Sequence, residues 1–185
     1  MQRLEAFTEL LLRWNARINL VGRADIGAVW GRHVADSAQI AALVPPGTSR
    51  GIDLGSGAGF PGLILAIITG IEFDLIEADL RKAAFLREAT RVTGAPARVH
   101  AVRIEAAEIA PAPLVTARAL APLPALLDLA HRFLRPGAVA LFPKGAEVDR
   151  ELTEAGRTWN MRVERFQSQT APEGTILKLS EVVRG

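Results

Sequence analysis

Ile52-Asp53-Leu54-Gly55-Ser56-Gly57-Ala58-Gly59 is the stretch on which the fold turns. An apolar run ends in three spaced glycines, and an apolar segment of helical length follows through Thr69, so a tight turn joins a strand to a helix. Gly55, Gly57 and Gly59 let the backbone bend sharply and approach a ligand with no side chain in the way. Two ligands fit this pattern. Gly57-Ala58-Gly59-Phe60-Pro61-Gly62 also spells G-x-G-x-x-G, the dinucleotide fingerprint, and glycines alone do not choose. Asp53, two residues before the first glycine, favours S-adenosylmethionine, because a carboxylate suits the methionine ammonium, directly or through water, and opposes a pyrophosphate. Glu77 lies 22 residues beyond Gly55, at the end of the next apolar run, placed to accept from the ribose hydroxyls of either cofactor.

Outward from this turn, short apolar runs alternate with helical stretches, the pattern of strand-helix units around a parallel sheet. Strands are expected near 50–54, 72–77, 98–103, 113–117 and 137–142. Helices are expected at about 60–69, 79–93, 122–134 and 146–157, with a short helical turn near 105–109. Two late segments, 161–168 and 175–183, flank Gln-Thr-Ala-Pro-Glu-Gly and suit a closing hairpin. Toward the N-terminus, Leu4, Phe7, Leu10, Leu11, Trp14 and Ile18 recur at helical steps. A second helix is expected from an Asp25 N-cap to Leu43, ended by Pro45-Pro46-Gly47. The fold class is therefore α/β, a class I (Rossmann-like) methyltransferase with a mostly parallel seven-stranded sheet and helices on both faces. Residues 1–46 form a two-helix cap and 47–185 the S-adenosylmethionine-binding core of a single domain.

A hydrophobic fraction of 49% with 23% charged residues over 185 positions is ordinary for one globular domain. The longest apolar stretch, Leu63 to Ile68, is far too short for a membrane span. The first residues lack a small-residue cleavage site, so no secretory signal is read and a cytoplasmic location is expected. With no cysteine, and with His33, His100 and His131 scattered, no metal site is expected. Of 22 basic residues 19 are Arg, the side chain suited to phosphate and base contacts, although the net charge is only +2.

Flanking motifs narrow the reading. Trp14-Asn15 and Asn19-Leu20, Arg32-His33 with Asp36-Ser37, and DLGSGAGFPG from Asp53 to Gly62 appear in order. Arg81-Lys82, Phe85-Leu86-Arg87, Arg103-Ile104-Glu105, Thr116-Ala117-Arg118-Ala119 and Lys144-Gly145 follow. Over nearly its whole length the chain resembles the bacterial RsmG family, also called GidB or glucose-inhibited division protein B, whose members methylate a guanine N7 in 16S ribosomal RNA. The resemblance implies that Gly55 and Phe60 line the cofactor, Glu77 takes the ribose, and Ile104 and Glu105 flank the adenine. It places Arg118 in the cofactor pocket, with access to RNA phosphate or the target base. With Asp53, Ser56, Gly57 and Gly59 of the turn, these residues make up the expected cofactor set. Val21 departs from the family's usual Thr, Glu77 replaces the commoner Asp, and the N-terminus is shorter than in many relatives.

Guanine N7 already exposes a lone pair, so no acid–base dyad is expected, only groups that align the base: Arg32, His33, Asp36, Arg118 and Lys144. Arg32 with Asp36 and His33 with Ser37 are i,i+4 neighbours suited to a salt bridge and a hydrogen bond within the cap helix. Asn15 and Asn19 suit the end of the first helix. Between Arg81 and Arg103 six basic residues face one acidic residue, so Arg81, Lys82, Arg87 and Arg91, with Lys144, are candidate RNA phosphate contacts. Phe60 and Trp30 are candidates for stacking on a base, with core packing the safer expectation for Trp30. The implied partner is 16S rRNA, naked or in a small ribosomal subunit or its assembly intermediate, bound by a monomer. A methyltransferase for another RNA or a small molecule, a nicotinamide-dependent oxidoreductase, and a non-enzymatic RNA-binding module are the alternatives. The absence of tyrosine argues against the Tyr-Lys form of oxidoreductase chemistry.

Overall fold

A computed structural model describes all 185 residues except the side chain of Arg23. Seven strands form one sheet in the order β3-β2-β1-β4-β5-β7-β6. β1 (Arg50–Leu54), β2 (Glu72–Ile76), β3 (Ala97–His100), β4 (Ala112–Ala117) and β5 (Leu134–Lys144) run parallel. β6 (Trp159–Gln167) and β7 (Thr175–Arg184) are the expected hairpin, and β7 inserts between β5 and β6, antiparallel to both. The chain winds from β1 to β3 in one direction and returns to β4 on the other side of β1. This reversal opens a crevice at the carboxyl ends of β1 and β4, where α/β proteins bind ligands. Leu54 is level with Ile76 and with Ala117, so the glycine turn, Glu77 and Arg118 emerge side by side.

Helices cover both faces. On one, α3 (Gly62–Thr69), α4 (Leu80–Thr93) and α1 (Gln2–Asn15) bury Phe7, Leu11, Ile64 and Phe85 against Phe73, Leu75 and Leu141. On the other, α5 (Leu123–Ala130) and α6 (Val148–Ala155) bury Leu123, Leu127 and Val148 against Ile52, Val115, Ala140 and Phe142. The central strands are apolar on both sides because both sides are covered. α1 stops at Asn15 because the Asn15 side-chain oxygen accepts from the N–H groups of Leu20 and Val21, at 2.8 and 2.9 Å, and turns the chain.

The second cap segment departs from expectation. Instead of one α-helix from Asp25, residues 23–43 run through a 3₁₀ turn (Arg23–Ala28), a π turn (Trp30–Ala35), a short α turn, α2 (Asp36–Ala38), and a second 3₁₀ turn (Gln39–Leu43). Gly27 and Gly31 weaken a regular ladder here. Asp25 is not the N-cap, which is Gly22; its carboxylate instead pairs with Arg32 at 2.6 Å. The expected Arg32–Asp36 pair is therefore absent, and Asp36 is free for a long-range partner. Ser37 donates to the backbone carbonyl of His33 at 2.7 Å rather than meeting its ring. Trp30 is not in the core but 39% exposed. No helix among the described residues is long and apolar enough to cross a membrane.

Candidate functional site

Two cavities open at the carboxyl ends of the strands and share one wall, Arg118, Ala119 and Leu120, which follows β4. The smaller, about 400 Å³, lies against the glycine turn and is lined by Gly55, Gly57, Glu77, Lys82, Ile104 and Glu105 among others. The larger, about 920 Å³, lies between the cap and the hairpin loop, with Asp25, Arg32, His33 and Asp36 on one side and Thr170 to Ile176 on the other.

Glu77 organises the smaller cavity. Its carboxylate accepts from the N–H of Gly57 and of Asp79, both at 2.8 Å, and so fastens the glycine turn to the end of β2. Asp79 in turn caps α4 by accepting from the N–H groups of Lys82 and Arg81, which hold its carboxyl below the usual range. This bears on the ambiguity of the glycine motif. A pyrophosphate needs the N–H groups of such a turn free, and here Gly57 already donates to a carboxylate. The adjoining anionic Glu77 suits ribose hydroxyls and repels phosphate.

The glycines divide by cause. A side chain on Gly55 would strike Leu120 Cδ1 at 2.7 Å, one on Gly59 would press on Leu63 at 3.0 Å, and one on Gly62 would overlap Asp53 Cβ at 2.4 Å. Gly57 differs: its φ is +55° and its nearest neighbour is Gly55 O at 3.8 Å, so it faces open space. Positive φ calls for glycine at Gly55, Gly57 and Gly59, close packing alone at Gly62, and only Gly57 leaves the space above it open.

Four of the ten expected cofactor residues do not line the cavity. Ser56 is buried, its hydroxyl donating to Asp53 O at 3.1 Å, and Gly59 packs beneath α3. Phe60 is buried too, its ring stacked on His33 at 5.1 Å, edge-on to Phe7, with the Arg118 guanidinium 4.9 Å away, so no face remains for a base. Asp53 lies below the turn, fully buried; Thr116 donates to its Oδ1 at 2.6 Å, and Oδ2 has no partner. Burial pushes this carboxyl up to about 6 against the hydrogen bond from Thr116. Asp53 thus lies beneath the floor of the smaller cavity and does not line it.

Relative to the reference value of 3.8, this raised Asp53 pKa favours the fold fully below about pH 3.8, and that contribution is lost as pH rises through about 6, a cost of about 3 kcal/mol at neutral pH. Asp53→Asn, whose amide oxygen still accepts from Thr116, is expected to melt higher than the parent near pH 7.5 and to flatten the decline between pH 4 and 7. Melting curves across that range check this, and an unaltered pH slope would remove Asp53 as its source.

In the larger cavity Arg118 is the hub. It donates to Asp36 Oδ2 at 3.1 Å and to His33 Nδ1 at 3.0 Å. Burial, reinforced by Arg118, holds the His33 pKa below its ordinary value. Because Nδ1 accepts, the neutral ring carries its proton on Nε2, which has no hydrogen-bond partner and lies 3.7 Å from Asp25 Oδ2. Asp36 also accepts from Gln39 and Thr170, at 2.9 and 2.7 Å, and Gln39 receives the N–H of Gln169 at 2.8 Å. The cap is thus latched to the hairpin loop across about 130 residues of chain. Nothing in local sequence pattern signals this latch, nor the role of Leu120.

The proposed basic stripe is not uniform. Arg81 is exposed at the site end of α4 and Arg87 is exposed midway, whereas Lys82 lines the smaller cavity. Arg91 lies near the far end and is held by Glu88 through two bonds of 2.9 and 2.7 Å. Lys144 is little exposed: its side chain is 9% accessible, it is paired with Glu151 at 2.6 Å, and the two line the far side of the larger cavity rather than the outer surface. Among the described residues, no group of three or more His, Asp or Glu is placed to hold a metal ion.

The family model for GidB, described as rRNA small subunit methyltransferase G, matches residues 1–176. The chain belongs to this family. A GidB-family relative in Rhodospirillum centenum, named ribosomal RNA small subunit methyltransferase G, is 60% identical over 182 residues, covering 98% of this chain and 84% of the relative. One of the same name in Acidiphilium cryptum is 54% identical over 184 residues, covering 98% and 85%. Among solved structures, a TehB-like SAM-dependent methyltransferase from Corynebacterium glutamicum superposes with a TM-score of 0.60 at 20% identity, over 79% of this chain and 86% of that one. The GidB-family chain therefore shares the class I methyltransferase fold anticipated from its glycine turn.

Proposed function

We propose that this chain, acting as a cytoplasmic monomer, transfers a methyl group from S-adenosylmethionine to N7 of a guanine in 16S rRNA. The observation that carries the reading is the shared wall. A cofactor held against Glu77 and a base held between cap and hairpin would meet at Arg118 to Leu120, the wall both cavities share, which suits a direct transfer between them. In this reading the chain is one methyltransferase domain whose residues 1–46 serve as the cap.

The residues of the smaller cavity fit the cofactor. Gly57 leaves room for close approach, Glu77 offers its remaining acceptor sites to ribose hydroxyls, and Ile104 and Glu105 stand where an adenine fits. S-adenosylmethionine supplies an electrophilic methyl on a sulfonium that departs as a neutral thioether. The protein's task is alignment and charge matching, since N7 needs no base to attack. A positive charge appears on the purine, and the larger cavity does not oppose it. Arg118 is offset by Asp36, Arg32 by Asp25, and His33 is held neutral. We assign Arg32, His33, Asp36 and Arg118 to positioning the base or its phosphate, and Arg81 and Arg87 to RNA phosphates.

Trp30, with Ile26 one turn before it and also exposed, belongs to the cap segment that lines the larger cavity. It offers an aromatic face for a nucleotide beside the target. Trp30→Ala is expected to weaken RNA binding by about tenfold, from ~1–3 kcal/mol of base stacking, with no change in salt slope because no charge is removed. Unchanged affinity in binding titrations would return Trp30 to a passive surface role.

The deciding experiment incubates the protein with labelled S-adenosylmethionine and small subunits lacking the modification, then maps the labelled nucleotide. Label on N7 of one 16S guanine is expected. Label at another atom, in another RNA, or nowhere sinks the reading, and tight NADH binding without S-adenosylmethionine binding would point to the oxidoreductase alternative.

A further inference from the structure

We propose that Lys144 and Glu151, little exposed on the wall of the larger cavity, form a strut that sets the position of the turn between β4 and α5, making both positioning residues for methyl transfer rather than RNA contacts. The Lys144 ammonium, at the end of β5, donates to Ala121 O at 3.0 Å and pairs with Glu151 Oε2 at 2.6 Å. The same carboxylate oxygen accepts the Leu123 N–H at 2.7 Å. Leu123 opens α5; Pro122 before it has no side-chain acceptor and Pro124 after it has no N–H. Glu151 from α6 therefore supplies the anionic cap that this helix start lacks. At the other end of the turn, Arg118 is held by Asp36 and His33. Between the two grips stands Ala119 with φ +52°, a conformation that persists in a non-glycine residue only when its surroundings impose it. Leu120, next along, fills the space left by Gly55, so a shift of the turn reaches both cavities.

A phosphate contact is the competing role for Lys144. Although Lys144 and Glu151 both line the larger cavity, the ammonium is already engaged by a carboxylate and a carbonyl, so a phosphate would have to displace a partner that neutralises its charge. Transfer in line tolerates little misplacement, so releasing one grip on the shared wall acts on the rate more than on either affinity. This inference rests on the reading of the larger cavity as the base site.

The test compares the wild-type chain with Lys144→Met, Glu151→Leu and Glu151→Gln, measuring kcat, affinity for S-adenosylmethionine, and RNA affinity across salt. Lys144→Met and Glu151→Leu are expected to lower kcat by about tenfold to a hundredfold, with cofactor affinity within about threefold of wild type and an unchanged salt slope. Glu151→Gln, which still accepts from Leu123 and Lys144, is expected to retain most of the rate. Should Glu151→Leu fail to fold, Lys144→Met and Glu151→Gln still decide the matter. A salt slope flatter by about one phosphate contact in Lys144→Met, with kcat intact, would make Lys144 an RNA contact and overturn the strut. An unchanged kcat in Glu151→Leu would overturn it as well. Failure of the functional reading shows separately, as a wild-type chain that transfers no methyl group to RNA.

Discussion

Replacing Gly57 with valine is expected to abolish S-adenosylmethionine binding, a loss of at least about a hundredfold in affinity, while the protein still folds. Two effects combine. A β-branched residue at φ +55° is strained by about 1–3 kcal/mol, and relieving that strain pulls the Gly57 N–H from Glu77. The side chain would also project into the smaller cavity, where the cofactor is proposed to lie. Protein clashes are not the cause, since no heavy atom comes closer to the added Cβ than 3.8 Å. Gly57→Ala, with the backbone cost but little of the bulk, should fall between. Gly62→Ala is the contrasting control: its Cβ would overlap Asp53 Cβ under the turn, so it should destabilise the fold itself. Calorimetric titration and melting of the three variants separate these effects, and a Gly57→Val protein that binds like wild type would remove the turn from the site.

Substitution of Arg118 by methionine should have the second large effect, lowering kcat/KM for RNA by about 10² to 10³. The guanidinium serves two acceptors on the cap, Asp36 and His33, and lies over Phe60. Removing it leaves Asp36 without its counter-charge in a half-closed space, which costs about 3 kcal/mol of stability. Arg118→Lys should not rescue activity, because a single ammonium does not reproduce the fork that reaches both acceptors. A second readout isolates the local effect. Arg118 is one cause of the low His33 pKa, after burial, so the His33 pKa should rise toward its ordinary value in Arg118→Met. The depressed pKa gives the wild-type fold a contribution that is present above about pH 6.5 and lost as pH falls through the folded value; the variant should lose part of this dependence. NMR titration of the imidazole checks the shift, and an unmoved His33 resonance would mean that Arg118 does not govern that ring.

How much of the fold and site a sequence displays depends on the range of each signal. The strand, turn and helix around Gly55, and Glu77 at the end of β2, depend on periodicity and on glycine's conformational freedom, which are local properties. Ile104, Glu105 and Arg118 came through the family resemblance, at positions that the structure brings to one crevice. Less was legible where a side chain's partner lies far along the chain. Asp36 was paired with Arg32 one helical turn away, but its carboxylate meets Arg118 and Thr170. Phe60 had the right position for a cofactor wall, yet Phe7 and His33 enclose it. Lys144 has the right edge of the sheet for a phosphate contact, but Glu151, in the next helix, neutralises its charge. The second cap segment differs in kind because an N-cap candidate and a proline stop bound a helical run without distinguishing an α ladder from joined 3₁₀ and π turns when glycines interrupt it.

The latch between Gln39, Asp36 and the hairpin loop has a consequence for how such an enzyme can diversify. The smaller cavity is built largely from the first half of the sheet, and the roof of the larger one from a loop near the C-terminus. Under the proposed assignment of the two cavities, lengthening or recomposing residues 168–174 is expected to change which nucleic acid is admitted while leaving the smaller cavity intact. In that reading substrate choice is a separable module, to be exchanged by grafting a relative's hairpin together with its matching residue at position 39.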